Sequence, residues 1–528
     1  MSPTATPDSS SHTASQIGEP TSGGPTRRLV LPGLAAAVGL ATIAAMFASG
    51  GDPILTVAPV LLVLGGLALA RIPLRWSAAG FVFMLLALDI STDAGGIWSS
   101  PLAPLGDLLG GGFSGLTRTP FAGFEVVALL LFILATWRHA TRDKIDGTAV
   151  PTAGVMRTCL VFVVMGCVYA MALGATNGYG LALWKARYLL HPLLFFALFQ
   201  TCFQQPEDFR SLGTAVVAAA IIKALMAAWV QIVAAPALTG GRLAYATNHG
   251  DSLLFAMAVL VLVLPALVTW TRRSILRAII FLPLPLWGML LNNRRLVWAI
   301  LALAIIVIFL ATSWRPWKRR VLRYGLTMAP VLLLYGAVGW KNVNIGGIFT
   351  PIAKIRTMLD SKVDNSTLWR DREAWNIAAT LQARSPLGIG LGGEYQEFVF
   401  NDDIAGFYPD YRGWPHNTVL GLLLLLGIPG FVIVWLPNLI TLFLAFRAEL
   451  FATTPVQRTA ALVAIGAVVA VLALAWGDTG AHFIQYKLAA GLAMALASKL
   501  AVATGAWPAP GARDGREARR GPQVTWTR

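Results

Sequence analysis

Three stretches of the 528-residue chain gather most of the side chains that could do chemistry. The first is Gly241-Arg242-Leu243-Ala244-Tyr245-Ala246-Thr247-Asn248-His249-Gly250, and the second is Asn292-Asn293-Arg294-Arg295. The third contains Trp369-Arg370-Asp371-Arg372-Glu373-Ala374-Trp375, a glycine run Gly388-x-Gly390-x-Gly392-Gly393, and Trp414-Pro415-His416-Asn417. A guanidinium forks onto phosphate through two charge-assisted hydrogen bonds, so the adjacent Arg294 and Arg295 read as an anion site. Side chains snorkelling to a membrane surface are the competing reading. Arg370 and Arg372 alternate with Asp371 and Glu373, which fits an ion-paired helix face equally well. His416 precedes a long apolar run and can exchange a proton near neutral pH. The positive end of a following helix favours its neutral, basic form, and a structural histidine holding a loop carbonyl is the alternative. His249 stands in a similar but weaker position, and His482, near Asp478, in a weaker one still. The glycine run lacks the strand that a dinucleotide site requires and reads as a tight turn on the site floor. No His/Cys/Asp/Glu set has metal-ligand spacing.

Apolar helices must carry these residues. The chain is 56% hydrophobic and 12% charged, against about 25% charged in soluble domains, and its mean hydropathy is +0.66. That excludes a water-soluble enzyme and a disordered chain. Apolar runs lie at 29–49, 54–70, 76–90, 121–137, 155–175, 188–203, 211–235, 251–270, 275–291, 295–313, 322–340, 417–446, 459–476 and 481–502. The expected fold is all-α: a polytopic membrane protein of about 14 (12–14) spans with one large, partly helical extracytoplasmic loop. Residues 1–28 form a polar disordered tail, 29–340 the first eleven spans, 341–416 the loop, 417–502 the last three spans and 503–528 a basic tail. The run at 29–49 is longer than a signal-peptide core of about 7–15 residues and reads as an uncleaved span. Cys159, Cys167 and Cys202 lie within apolar runs and read as small buried hydrophobes.

The chain carries a formal charge of +16, and its distribution orients it. One set of alternate connections and ends holds 25 Lys+Arg against 9 Asp+Glu, while the rest of the chain is balanced. The surplus therefore marks the cytoplasmic side, both termini lie there, and no nucleic-acid partner is implied. The 341–416 loop faces outward. Arg118, Lys185, Arg187, Arg242, Arg294 and Arg295 become exceptions to the positive-inside rule, pointing to an anionic ligand at the outer face.

The ordered motifs over roughly 180–446 resemble the O-antigen ligase and O-antigen polymerase superfamily of membrane glycosyltransferases. The matching residues are Arg242 with Asn248, Asn293-Arg294, Trp369-Arg370 through Trp375, Pro386 to Gly392, and His416-Asn417. Asn293 stands where the family has Ser, Arg295 is additional, and Leu425 occupies a position that is often Glu. The resemblance implies a bacterial cytoplasmic-membrane enzyme that needs no cofactor or metal. It would transfer a glycan from a polyprenyl diphosphate donor to a glycan or lipid-linked acceptor, beside other polysaccharide-assembly membrane proteins. Arg242, Arg294, Arg295 and Arg370 or Arg372 would hold the diphosphate. His416 would take the acceptor proton. Trp369, Trp375, Trp414 and Asn417 would contact sugar. Polymerase is slightly favoured over ligase. A transporter or flippase of lipid-linked saccharides is the alternative, resting on the mid-span residues Glu125, Lys223 and Lys487.

Overall fold

The computed structural model describes residues 39–40, 42–43, 60, 72–88, 122–141, 149–180, 182–241, 243–341, 349–359, 365–384, 386–406, 408 and 410–510. The tail 1–28, nearly all of the runs at 29–49 and 54–70, Arg118, Arg242 and residues 511–528 of the basic tail lie outside these. Residues 72–528 form one unit. Its described regular elements are all helical.

In order they are α1 (Leu74–Ala87), α2 (Gly123–Thr141), α3 (Gly154–Thr176), α4 (Ala182–Cys202) and α5 (Phe209–Trp229), the last continued by a π-turn at Val230–Ala234 and a short turn at Ala235–Thr239. Next come α6 (Asp251–Thr269), α7 (Arg272–Phe281), α8 (Pro283–Asn292), α9 (Arg295–Ala311) and α10 (Pro316–Lys341). Then follow α11 (Thr350–Leu359), α12 (Asn365–Ala383), α13 (Thr418–Phe451), α14 (Pro455–Gly477) and α15 (Ile484–Ala503). Among the described residues, eight helical stretches are long and apolar enough to cross a bilayer, and the chain is a polytopic helical membrane protein. Each expected apolar run from 76–90 onward falls on a helix. The run at 275–291 is divided into α7 and α8, where Pro283 and Pro285 withdraw two backbone donors. The large loop holds two helices: α12, wider than the pattern through 368–381 suggested, and α11, which had no sequence signal.

The helices α14 and α15 form the centre, packing on each other and on α13, and α15 also on α4. Small residues permit that approach: α15 reads Ala489-Ala490-Gly491 and Ala493-Met494-Ala495, and 89% of its apolar window is buried. In contrast, α10 turns its leucines outward, as a lipid-facing helix does. The N-terminus of α14 is closed by a capping box between Thr454 and Gln457. Such a cap contributes about 1 kcal/mol.

One irregularity explains the glycine run. Helix α13 breaks at Gly427 (φ 64°, ψ −176°), two residues before Pro429, which cannot donate a hydrogen bond to the Leu425 carbonyl. The chain around 386–391 inserts beside that break. Ile389 N donates to Leu424 O (3.0 Å), Gly390 N to Leu425 O (2.9 Å), and Ile428 N to Pro386 O (2.9 Å). On its other side Leu391 N donates to Ala170 O of α3 (3.1 Å), and Tyr169 Oη donates to Leu387 O (2.7 Å). Irregular backbone at membrane depth is tolerated where protein satisfies it in this way. A Cβ on Gly390, whose φ is +86°, would lie 2.3 Å from Gly174 N, so only glycine fits. The run thus braces α3 against α13.

Two buried ion pairs lie within the helical bundle. Glu125 meets His191 (2.5 Å), and Lys223 meets Asp251 (3.6 Å), which also accepts from the Gln485 amide (3.0 Å). Cys159, Cys167 and Cys202 are buried free thiols.

Candidate functional site

The connections at 240–250, 293–294 and 478–483 meet α12 and the start of α13 at one end of the bundle. The Asn292–Arg295 junction is a tight reversal: Asn293 takes the left-handed conformation (φ 52°) and Arg294 is extended. Two amides hold it. Asn292 donates to Thr247 Oγ1 (2.5 Å) and Asn248 O (3.1 Å), and Asn293 donates to Ala244 O (2.9 Å). The Asn248 side chain caps α6 by accepting from Asp251 N (3.0 Å). These bonds fix both the arginine hairpin and the loop that carries His249.

His249 lies between charges of opposite sign. Its Nδ1 bonds the Asp478 carboxylate, and its Nε2 bonds the Arg294 guanidinium. A neutral ring with its proton on Nδ1 satisfies both contacts, donating to Asp478 and accepting from Arg294. Burial pushes the His249 pKa down, and the neighbouring Arg294 and Arg370 add to that. Arg294 lies across the Tyr245 ring (4.2 Å), and burial pulls its pKa to about 10, so it remains charged. Its Nε is buried with no hydrogen-bond partner, a donor that the described residues leave unsatisfied.

Asp478 follows the last turn of α14, where the helix dipole disfavours a bare carboxylate. It is stabilised by His249 and by Arg370, whose Nη2 lies 3.9 Å away while Nη1 donates to Gly477 O (2.7 Å). Although burial raises its pKa, His249, Arg370 and His416 together hold it well below the usual carboxylate range. The Asp478 carbonyl accepts from Thr418 N (3.3 Å) and Oγ1 (3.1 Å), which ties it to the start of α13.

His416 has its own carboxylate. Glu373, only 1% exposed, accepts from His416 N (3.0 Å) through one oxygen and faces Nδ1 (3.3 Å) with the other. With the proton on Nδ1, Nε2 carries a lone pair and has no protein partner among the described residues. Trp369 meets the ring edge-on (4.9 Å) and Tyr408 flanks it (5.7 Å). A base oriented by a buried carboxylate beside guanidinium groups can remove a proton while the cations stabilise a departing anion.

Helical period sorts the residues of α12. Trp369, Arg370 and Glu373 share the face turned to the site, whereas Asp371, Arg372 and Trp375 are exposed on the other. Trp375 packs edge-on against Phe398 (6.2 Å). The structure therefore brings Arg370 and not Arg372 to Asp478. Arg295 binds Thr367 Oγ1 (3.2 Å), joining α9 to α12. Trp414 is buried against Tyr188 (5.3 Å), and Asn417 caps α13 by accepting from Leu420 N (3.1 Å). Arg242 lies outside the described residues.

Sequence reasoning missed Glu373 and Asp478 as partners and underrated His249. Glu373 lies three residues beyond Arg370, on one helix face, and Asp478 is an acid at the dipole's negative end. Both placements signal a buried cation or donor nearby.

No curated protein matches the chain. The family model of O-antigen ligase matches residues 278–435. That segment takes in Arg294, α12 with Arg370 and Glu373, the glycine run and His416, while His249 and Asp478 lie on either side of it. The match and the motif order agree: residues 278–435 are similar to the O-antigen ligase family.

Proposed function

We propose that the protein is a glycosyltransferase of cell-surface polysaccharide assembly, acting at the outer face of the bacterial cytoplasmic membrane. It transfers a glycan from a polyprenyl diphosphate donor to an acceptor sugar hydroxyl, as a polymerase rather than a ligase. About fourteen spans place both termini in the cytoplasm and residues 341–416 outside. Arg294 and Arg370, with Arg242, bind the donor diphosphate, and His416 is the base. The acceptor oxygen attacks the anomeric carbon, the bond to the diphosphate oxygen breaks, and the hydroxyl proton passes to His416 Nε2. The prenyl diphosphate leaves with its negative charge held by the guanidinium groups, which supply the charge stabilisation a divalent cation would otherwise give.

The observation that carries this reading is the pairing of the His416–Glu373 couple with the Arg294–His249–Asp478–Arg370 cluster. Both nitrogens of His249 are engaged, so it positions Arg294. His416 keeps one nitrogen for substrate. The test uses purified protein in detergent with a polyprenyl-diphosphate oligosaccharide and no second protein. Transfer is expected, and it is expected to be lost in His416→Ala and Arg294→Ala. Full activity in both variants overturns the site. A reporter fused after residue 380 is expected to read extracytoplasmic, and a cytoplasmic signal overturns the orientation.

A further inference from the structure

The end of the bundle opposite the histidines carries a surface of one sign. Residues 252–359 contain thirteen Lys and Arg and no Asp or Glu. Helices α6 and α9 both start at the candidate site and run to this far end, where α7 and α10 begin. There the chain places Arg272, Arg273 and Arg277 on α7, and Arg319, Arg320 and Arg323 on α10. All but the half-buried Arg320 are exposed, and among the described residues no carboxylate pairs with any of the six. Glu449, the carboxylate that α13 brings to the α9–α10 connection, is 1% exposed and accepts from Ser313 Oγ (2.8 and 3.0 Å), with Arg458 3.8 Å away. Lys318 is satisfied separately: it is buried, donates to Thr312 O (2.6 Å) and lies among the rings of Phe309, Trp314 and Trp317.

Tertiary contacts join the two arginine groups. The Trp270 ring, at the end of α6, stacks on Tyr324 of α10 (6.0 Å, 20°), and Arg320 lies over the same ring (5.0 Å) while its Nη1 donates to Leu267 O (3.0 Å). The start of α10 is thereby pinned to the corner between α6 and α7, and Arg272 and Arg273 follow Trp270 by two and three residues. Orientation in a membrane requires basic residues at this end, but it does not require two segments to gather them around one stacked pair of rings. Helices α7 and α10 both present the positive ends of their dipoles here, so an anion relieves the repulsion of the arginines and of the helix ends together. Farther along the same helices the surface turns apolar: Leu276, Ile279 and Ile280 of α7 and Leu322 and Leu326 of α10 are exposed. Trp270 and Tyr324 are exposed as well, and such rings settle at the level of lipid head groups. Guanidinium groups and interfacial rings beside exposed hydrocarbon match a phospholipid, with its phosphate on the arginines and its acyl chains along the helices. A free phosphate or an acidic peptide uses only the charged part.

We propose that Arg272, Arg273, Arg319, Arg320 and Arg323, with Trp270 and Tyr324, form a binding site for an anionic phospholipid that bridges α7 and α10. In the orientation proposed above, that lipid belongs to the cytoplasmic leaflet. The bridge has a structural use: α10 packs on α6 and α11 and turns most of its length to lipid, so a bound phospholipid adds a third tie to the bundle. The site is remote from His416 and does not depend on the glycosyltransferase reading.

The test titrates full-length protein in a neutral detergent with phosphatidylglycerol or phosphatidylcholine, counts bound lipid by native mass spectrometry and follows the melting temperature. Wild type is expected to bind phosphatidylglycerol about tenfold or more tightly than phosphatidylcholine, and to melt higher with it. Arg272→Gln with Arg323→Gln, one exposed arginine from each helix, is expected to weaken phosphatidylglycerol about tenfold and to abolish the thermal gain. Arg157→Gln with Arg210→Gln removes the same charge from exposed arginines of other connections at this end and is expected to change neither. Equal binding of the two lipids overturns the proposal, and so does an equal loss in both double variants, which marks diffuse attraction without a site. Displacement of the lipid by soluble polyglutamate identifies an acidic protein segment as the occupant and overturns the lipid assignment. Each of these failures leaves the transferase reading standing, since the assay contains no glycan donor.

Discussion

Replacing Glu373 by glutamine isolates the orientation of His416 from the presence of its ring. The carboxylate serves two donors at once, the His416 backbone N–H at 3.0 Å and Nδ1 at 3.3 Å. Glutamine has one carbonyl oxygen. If that oxygen keeps the backbone N–H, the amide NH2 faces Nδ1 and stabilises the tautomer with its proton on Nε2, which cannot accept one from substrate. The variant also loses the negative charge opposite the imidazolium that forms during transfer. At an effective dielectric near 20, that attraction is about 5 kcal/mol at this separation, an upper figure because the ring is partly solvated. A loss of transfer rate of about 10²–10⁴-fold follows, in keeping with other His–carboxylate pairs. The assay is glycan transfer from a polyprenyl-diphosphate oligosaccharide by purified protein, resolved into kcat and donor KM. The rate constant is expected to fall with donor KM unchanged and the melting temperature close to wild type. Activity within about threefold of wild type at equal folding would refute the reasoning that Glu373 sets the tautomer of His416.

Arg370→Ala is expected to weaken donor binding and slow transfer by about tenfold or more, while Arg372→Ala leaves both unchanged, as parallel kinetics of the two variants will show. Gly390→Ala forces a methyl group to 2.3 Å from Gly174 N and separates α3 from α13. Loss of the monodisperse folded protein in detergent chromatography is expected, and a wild-type melting temperature would contradict the bracing role. His249 has a folded pKa depressed by burial, against about 6.5 unfolded. Its contribution to stability is therefore complete above about pH 6.5 and declines as pH falls below that value. Thermal midpoints measured across this range should fall on acidification, with a shallower slope in His249→Gln. Excess EDTA is expected to leave transfer rates unchanged, because guanidinium groups carry the leaving diphosphate; a rate restored only by added magnesium would contradict that.

The helical runs were legible because membrane spans are long and apolar, and composition alone identifies them. Their proposed sidedness rests on the basic residues that collect at one set of ends. Boundaries were less so where proline divides α7 from α8, and α11 gave no signal because its apolar pattern is short. Of the site, Arg294 and His416 stood out because a charged or titratable group beside a span needs a reason. Glu373 did not, since acids alternating with Arg370 and Arg372 read equally well as a solvated face. The glycine run was legible as a turn. Its partner, the break at Gly427 in α13, lies some forty residues away, and only the fold joins the two.

By itself, the sequence determined that this chain spans a membrane many times, and it supplied the proposed orientation and the expectation that arginines and a histidine beside spans meet an anionic substrate. Those are properties of composition and order along the chain. The tertiary structure decided which charges meet. Asp478 lies 229 residues from His249 in the chain and 108 from Arg370, yet all three share one cluster around the buried Asp478 carboxylate, at the meeting of α6, α12 and α14. Nothing in local spacing encodes such a meeting. It arises because apolar helices pack first on shape, and the polar groups left at their shared end must then satisfy one another away from water.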